Sequence, residues 1–343
     1  MEKNELEQGQ ADPHPRTANS PYTMPPHIQT SDGRIRRLGI EIELSGPEVK
    51  DLVELVQKVF PGKTERLSER EWLIHSDDYD TFTVEVDSQL LKRIARDYEN
   101  SGDLIDELTS HTLGTITKNW VPCEIVTPPL PMTDIGKMDR LVELVRERGG
   151  KGTRDSIWNA FGLHFNPEIA ALDAVTVLHH LQAYICCHDW LVDQFGVDFS
   201  RRVTPYIKAF EEDYIEFILR EDYKPNMDAL IDDYIRFNPT RNRALDMLPL
   251  FLHIDEARVR EKIQDPLVKP RPTFHYRLPD CDIDNPEWGL WAAWNDWVRV
   301  EVLADNAKTL RACANAYLQH LDSFTPDFLK PWKEQVVQWL DVR

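Results

Sequence analysis

A chain of 343 residues, 41% hydrophobic and 29% charged, is long enough for one large domain or two ordinary ones with a substantial core. Its formal net charge of -19 argues against nucleic acid or an anionic membrane as the main partner, yet permits an anionic substrate held by local basic groups and divalent metals. Five cysteines without a CxxC pair, no signal peptide and no apolar run of membrane-span length point to a reduced, cytoplasmic protein with no membrane partner.

Residues 1–33 are rich in Pro, Ser, Thr and Asn and read as a flexible tail, ordered only where it lies on the domain surface. RIRRLGIEIEL then alternates as a strand, and PEVKDLVELVQKVF follows with helical spacing behind a first-turn proline. EWLIHS and DTFTVEVDS read as two strands joined by the turn DDYD, and ENSGDLIDELTSHTLGTI reads as a helix. WVPCEIVTPPL is a strand stopped by its double proline, TDIGKMDRLVELVRERGG a helix with a glycine stop, and SIWNAFGLHFNP a further strand. From about residue 170 to 264 the pattern turns helical and forms an insertion. RPTFHYRLP returns to strand, and the chain ends in helices. No internal repeat is found. The expected fold class is α+β: an antiparallel sheet with helices packed on one side.

The strands carry an unusual polar load. Glu41 and Glu43 lie two apart in GIEIEL, as do Glu85 and Asp87 in FTVEVDS, and residues two apart share one face of a strand. Glu124 sits in VPCEIV, His164 and Asn166 in GLHFNP, and His275 and Arg277 in TFHYRLP. For any one strand a solvated face explains this. Five strands bearing Glu, Asp, His and Arg at their centres imply more, because a solvated face favours Thr, Lys, Gln and Ser. Clustered carboxylates relieve their repulsion by binding cations, and several Glu with an occasional His suit Mg²⁺ or Mn²⁺.

A second group is NPTRNRALDMLPL, with Asn238, Arg241 and Arg243, to which RRVTPY adds Arg201 and Arg202. Guanidinium forks bind carboxylates and phosphates bidentately. For Arg201 and Arg202 surface salt bridging is a strong alternative. Phosphates beside clustered metals imply phosphoryl transfer. With no GxxxxGK[ST], GxGxxG or GxSxG, a P-loop enzyme, a dinucleotide-binding oxidoreductase and an α/β-hydrolase are all disfavoured.

Taken in order, GIEIEL, VEVD, PCEIVTPPL, GLHFNP, NPTRNRALDMLPLF and TFHYRLP resemble the amidoligase family over about residues 34–304. These carboxylate–amine ligases are similar in fold to glutamine synthetase and glutamate–cysteine ligase. The resemblance implies a curved antiparallel sheet around a funnel, in one catalytic domain over residues 34–343, and an ATP- and Mg²⁺-dependent amide synthesis through an acyl phosphate. It implies metal-binding roles for Glu41, Glu43, Glu124, His164 and His275, with Glu41 and Glu43 serving different ions. Arg241, Arg243, Asn238 and Arg201 would hold the nucleotide, and Glu85, Asp87 and Arg277 would act in catalysis. The helical insertion would cover the site, its aromatics Trp190, Tyr206, Tyr214 and Tyr234 being core. Partners would be small-molecule or peptide carboxylates and amines, with an oligomer possible.

The late strand departs from the family pattern, carrying His275-Tyr276-Arg277 where Glu-x-Arg is common. A neutral imidazole still ligates a divalent ion but removes one negative charge. Glu301 in WVRVEVLA offers a substitute carboxylate, although its helical setting reads as surface. A phosphotransferase acting on an amine or guanidine, or a relative that binds ligand without catalysis, are the competing readings.

Overall fold

The computed structural model describes residues 20–87, 121–153, 161–195, 208–322 and 331–340. The expected helix in ENSGDLIDELTSHTLGTI lies outside them.

The period-2 patterning decides which side of the sheet becomes core. Strand β1 (Arg37–Leu44) buries Leu38, Ile40, Ile42 and Leu44 on one face and leaves Gly39, Glu41 and Glu43 on the other. In β4 (Thr81–Val86), Phe82 and Val84 are buried opposite Thr83 and Glu85. In β5 (Cys123–Val126), Cys123 and Ile125 oppose Glu124. The same split separates Leu163 and Phe165 from His164 and Asn166 in β7 (Leu163–Pro167), and Tyr276 from His275 in β9 (His275–Tyr276). Every strand-borne polar group singled out in the sequence thus falls on one face.

Four further strands complete the sheet: β2 (Gly62–Arg66), β3 (Glu71–Ser76), β6 (Leu130–Pro131) and β8 (Leu245–Asp246). The order is β2-β3-β4-β5-β1-β7-β9-β8, with β6 paired to β1, and every pairing is antiparallel. The architecture is mixed α/β, with this large sheet not closed into a barrel and ten α-helices among the described residues. Strand β2 escaped the sequence reading because GKTER has no apolar alternation. It is an edge strand whose charges discourage pairing with another chain.

The apolar face is covered by α1 (Val49–Val59), α3 (Ala174–Gln194) and α8 (Leu290–Asp305), while α2 (Met138–Glu147) packs on α1. Phe60, at the end of α1, stacks on Phe82 of β4. Tyr184 of α3 and Trp297 of α8 both meet Tyr276 of β9, and Trp294 meets Phe165 of β7. The expected insertion therefore does not act as one cover over the polar groups, since α3 lies on the opposite, apolar face. Its helical run is also broken. It contains α4 (Glu212–Leu219), α5 (Met227–Phe237), α6 (Leu248–Ile254) and α7 (Glu256–Lys262), with strand β8 between α5 and α6. Trp190, Tyr214 and Tyr234 are core, as expected, and Tyr206 lies outside the described residues.

The C-terminal helical run divides at Asn306, whose side chain accepts from the Thr309 N–H and starts α9 (Ala307–Asp322); α10 (Trp332–Gln335) follows. Residues 20–33 do more than lie on the surface. Tyr22 is buried and donates to Asp139, and Thr23 is gripped by Trp294 and Asn295 of α8. All five cysteines are buried and free, in keeping with a packing role for Cys186 and Cys187. No helix among the described residues is long and apolar enough to cross a membrane.

Candidate active site

Strand register sets the polar groups side by side. Glu71 pairs with Glu85, Glu85 with Glu124, and Glu124 with Glu43. Directly opposed residues share a face with Cβ atoms about 5 Å apart. Four carboxylates therefore form one row across β3, β4, β5 and β1. In the neighbouring row Glu41 is paired with His164.

His164 is the hinge between the rows. Its Nδ1 lies 2.9 Å from Glu41 Oε2, and its Nε2 lies 3.6 Å from Glu43 Oε1. The buried Glu43 also accepts from the Gly162 N–H through Oε2 at 2.6 Å. Asn166 donates from Nδ2 to Glu41 Oε1 at 2.9 Å. His275 Nε2 stands 3.8 Å from Glu41 Oε2, its Nδ1 stands 3.9 Å from Asp246 Oδ2, and its ring meets that of His164 edge to face. Among the described residues, two groupings bring their ligand atoms within 4.8 Å of one another: Glu43, Glu124 and His164, and Glu41, His164 and His275.

The electrostatics of the face are lopsided. Burial, then the charges of Glu41, Glu43, Asp87 and Glu85, push the Glu124 carboxyl well above the usual range. Half-buried Glu85 is raised by burial, Glu71, Asp87 and Glu41, with Lys269 opposing. Glu41 goes the other way. Burial alone would raise it, but the His164 hydrogen bond and the charges of His275, His164 and Arg271 hold it well below the ordinary value. Burial lowers His275 to about 4, against the opposing pull of Asp246 and Glu41.

Against this geometry, the family model described as "Putative amidoligase enzyme" matches residues 34–299. The chain belongs to that family. No curated protein and no solved structure matches it. Membership supports a ligase in general terms.

The remaining residues expected of this amidoligase family member are placed differently. Arg277 is buried at the end of β9, and its Nη1 donates to the Arg241 carbonyl at 3.1 Å, so these two arginines are joined. Asp87 directly follows β4, close enough to raise both Glu85 and Glu124. Arg243 and Asn238 are engaged locally. Arg243 donates to the Ala209 carbonyl, lies 3.6 Å from Glu211 and sits over the Phe210 ring. Asn238 caps α5, its Nδ2 3.3 Å from the Tyr234 carbonyl. Arg201 and Arg202 lie outside the described residues. Glu301 is neither surface nor substitute ligand: it is buried on the apolar side against Arg36.

Three residues of this face were not singled out from the sequence. Arg271 stands 3.6 Å from Glu41 Oε1, Asp246 pairs with His275 across β8 and β9, and Glu71 ends the carboxylate row. A signal existed for Arg271. RPTFHYRL alternates Arg271, Thr273, His275 and Arg277 with Pro272 and the buried Phe274, Tyr276 and Leu278, so extending the period two residues upstream reaches it. Asp246 gave none, because it is embedded in the apolar run LDMLPL.

Proposed function

We propose that the chain is an ATP-dependent carboxylate–amine ligase, making an amide, peptide or isopeptide bond through an acyl phosphate, with Mg²⁺ or Mn²⁺ as its metal. The observation that carries this reading is the in-register carboxylate face with His164 between Glu41 and Glu43, on a chain of the amidoligase family. We take the open sheet to be of glutamine-synthetase-like type, with nucleotide and acceptor meeting over that face.

The residues fit a hard divalent ion. Glu43, Glu124 and His164 offer oxygen donors and one imidazole, and burial together with the neighbouring carboxylates raises the Glu124 carboxyl, a load that a cation would relieve. Bound there, the ion would neutralise and orient the nucleotide phosphates. Arg277, whose Nη1 holds the Arg241 carbonyl, and Arg241 itself would serve phosphate or carboxylate oxygens. A carboxylate forms no amide in water until its oxygen becomes a leaving group, which phosphorylation achieves. The amine that attacks the acyl phosphate must arrive deprotonated. Glu85 and Asp87 would hold a cationic amine, and the raised Glu85 carboxyl is better matched to accept its proton near neutrality than an ordinary glutamate.

The deciding experiment uses substrate carboxylate labelled with heavy oxygen, in a screen of carboxylate and amine pairs. The expected result is label in the released phosphate, with ADP and amide formed one for one. ADP with a phosphorylated amine and no amide would indicate the phosphotransferase, and no nucleotide binding at millimolar Mg²⁺ would sink both enzymes.

Metal binding should depend on pH. Because the folded Glu124 carboxyl is raised, it keeps its proton where an unfolded glutamate has lost it. The ion must displace that proton, so Mg²⁺ or Mn²⁺ affinity should rise with pH and each binding event should release protons. In the metal-free protein the sign is opposite. Stability from this group is complete below the unfolded value and is lost as pH rises through the folded one. Calorimetry in buffers of different ionisation enthalpy measures the release; affinity independent of pH would contradict it.

A further inference from the structure

The two glutamates of β1 are not equally open to an ion. Both oxygens of Glu41 are already met by protein donors. Oε2 faces His164 Nδ1 at 2.9 Å with His275 Nε2 at 3.8 Å, and Oε1 faces Asn166 Nδ2 at 2.9 Å with Arg271 Nη1 at 3.6 Å. An ionised carboxylate can only accept, so His164 donates from Nδ1, which leaves Nε2 as the ring atom open to an ion. That atom lies 3.6 Å from Glu43 Oε1, and His164 shares one ligand grouping with Glu43 and Glu124. A carboxylate that holds the far nitrogen of a histidine in this way is the usual outer partner of a metal-ligating imidazole.

Charge separates the two sides as well. Glu43 and Glu124 offer two carboxylates beside His164. On the other side the charges of Glu41 and, beyond the His275 ring, Asp246 are opposed by the Arg271 and Arg277 guanidinium groups, and His275 adds an imidazole rather than a third carboxylate. Divalent ions are retained by carboxylate count, and this side presents almost no net negative charge to one.

We infer that Glu41 is a positioning residue rather than a metal ligand: it aims His164 Nε2 at a single divalent site formed with Glu43 and Glu124, and it tethers Arg271 where a second ion was expected. The inference rests on the metal-dependent reading above and deepens it. Arg271 then supplies a positive charge over the face, and His275 stands between Asp246 and Glu41 at 3.9 and 3.8 Å, its buried Nε2 without a hydrogen-bond partner among the described residues.

The test is a Mn²⁺ titration of the full chain without nucleotide, followed by calorimetry and electron paramagnetic resonance, with pulsed measurement of nitrogen coupling to the bound ion. The native chain should bind one ion carrying a single imidazole nitrogen. His275→Gln should leave count and coupling unchanged. Glu41→Gln should keep the one ion, weakened about tenfold to a hundredfold, with an altered nitrogen coupling as the imidazole loses its anchor. Glu43→Gln should lose it. Circular dichroism checks that each variant is folded, and the native measurement stands without any variant. Two ions of similar affinity, two coupled nitrogens in the native chain, or loss of the ion in folded Glu41→Gln or His275→Gln would overturn the inference while leaving a metal-dependent ligase intact. A native chain that binds no ion would overturn the functional reading and this one with it.

Discussion

Replacing Glu43 by glutamine should abolish divalent-ion binding and cut ADP formation by at least about a hundredfold, while leaving the metal-free fold as stable as before or slightly more so. The substitution is nearly isosteric. The glutamine carbonyl can still accept from the Gly162 N–H, the bond that seats Glu43 beside β7. What disappears is one of two carboxylates that face each other across β1 and β5. Directly opposed like charges cost a few tenths of a kcal/mol to about 1 kcal/mol, so their removal relieves rather than harms the empty protein. The Glu124 carboxyl should fall back toward its ordinary range, since Glu43 is one of the charges raising it. The catalytic loss follows from preorganisation: removing one fixed electrostatic element from a phosphoryl-transfer site costs about 10²–10³ in rate. ADP release, ion titration and a thermal melt of the same preparation measure the three effects together. Retained ADP formation would remove Glu43 from the site. A large loss of metal-free stability would show instead that its charge serves the fold.

The face of each strand was legible in the sequence, whereas which residues stand opposite each other was not. Alternation in GIEIEL or TFHYRL depends on the local pleat, and each apolar partner names the buried side. The rows depend on register between strands distant in the chain, such as Glu43 with Glu124, and local patterning carries no information on that. Glu71 passed unnoticed for this reason: in EWLIHS it is an ordinary strand-end acid until β3 and β4 align it with Glu85. The helical reading of LDMLPLF failed at Leu245–Asp246 for a related reason. Two residues are too few to show a period, and their extended form comes from pairing with β9. Arg243 shows the limit of motif reading. NPTRNR announces guanidinium groups but not that this one would be turned into the 208–211 segment. Glu301 was misread because helical position alone cannot reveal what packs above a helix. Its partner, Arg36, lies far upstream in the chain, just before β1, and its side chain is turned to the apolar side of the sheet.

That pair is the basis of the largest stability effect expected. Glu301→Gln should destabilise the protein by about 3–5 kcal/mol, because breaking a buried ion pair leaves its partner charged without compensation. Arg36 is fully buried, and its guanidinium meets Glu301 in a two-point fork at 2.7 and 2.8 Å. Two further N–H groups are satisfied, Nε by the Glu168 carbonyl and Nη1 by the His27 carbonyl, while Trp297 Nε1 donates to Glu301. The arrangement ties the start of β1 to α8 and to the segment before β1, so its loss should loosen the strand that carries Glu41 and Glu43. A double replacement, Arg36→Met with Glu301→Met, should recover part of the loss, since it removes both charges but strands the Trp297 N–H and two carbonyls. The pH dependence gives an independent check. Burial would raise the Glu301 carboxyl, but Arg36, with His180 and Trp297, holds it below the ordinary value. A lowered folded value contributes stability that is present above the unfolded carboxylate range and is lost as pH falls through the folded one. The gap between native and Glu301→Gln melting temperatures should therefore be widest near neutrality and narrow in acid. A gap that stays constant with pH, or a double variant less stable than Glu301→Gln, would mean that the pair acts through packing rather than charge.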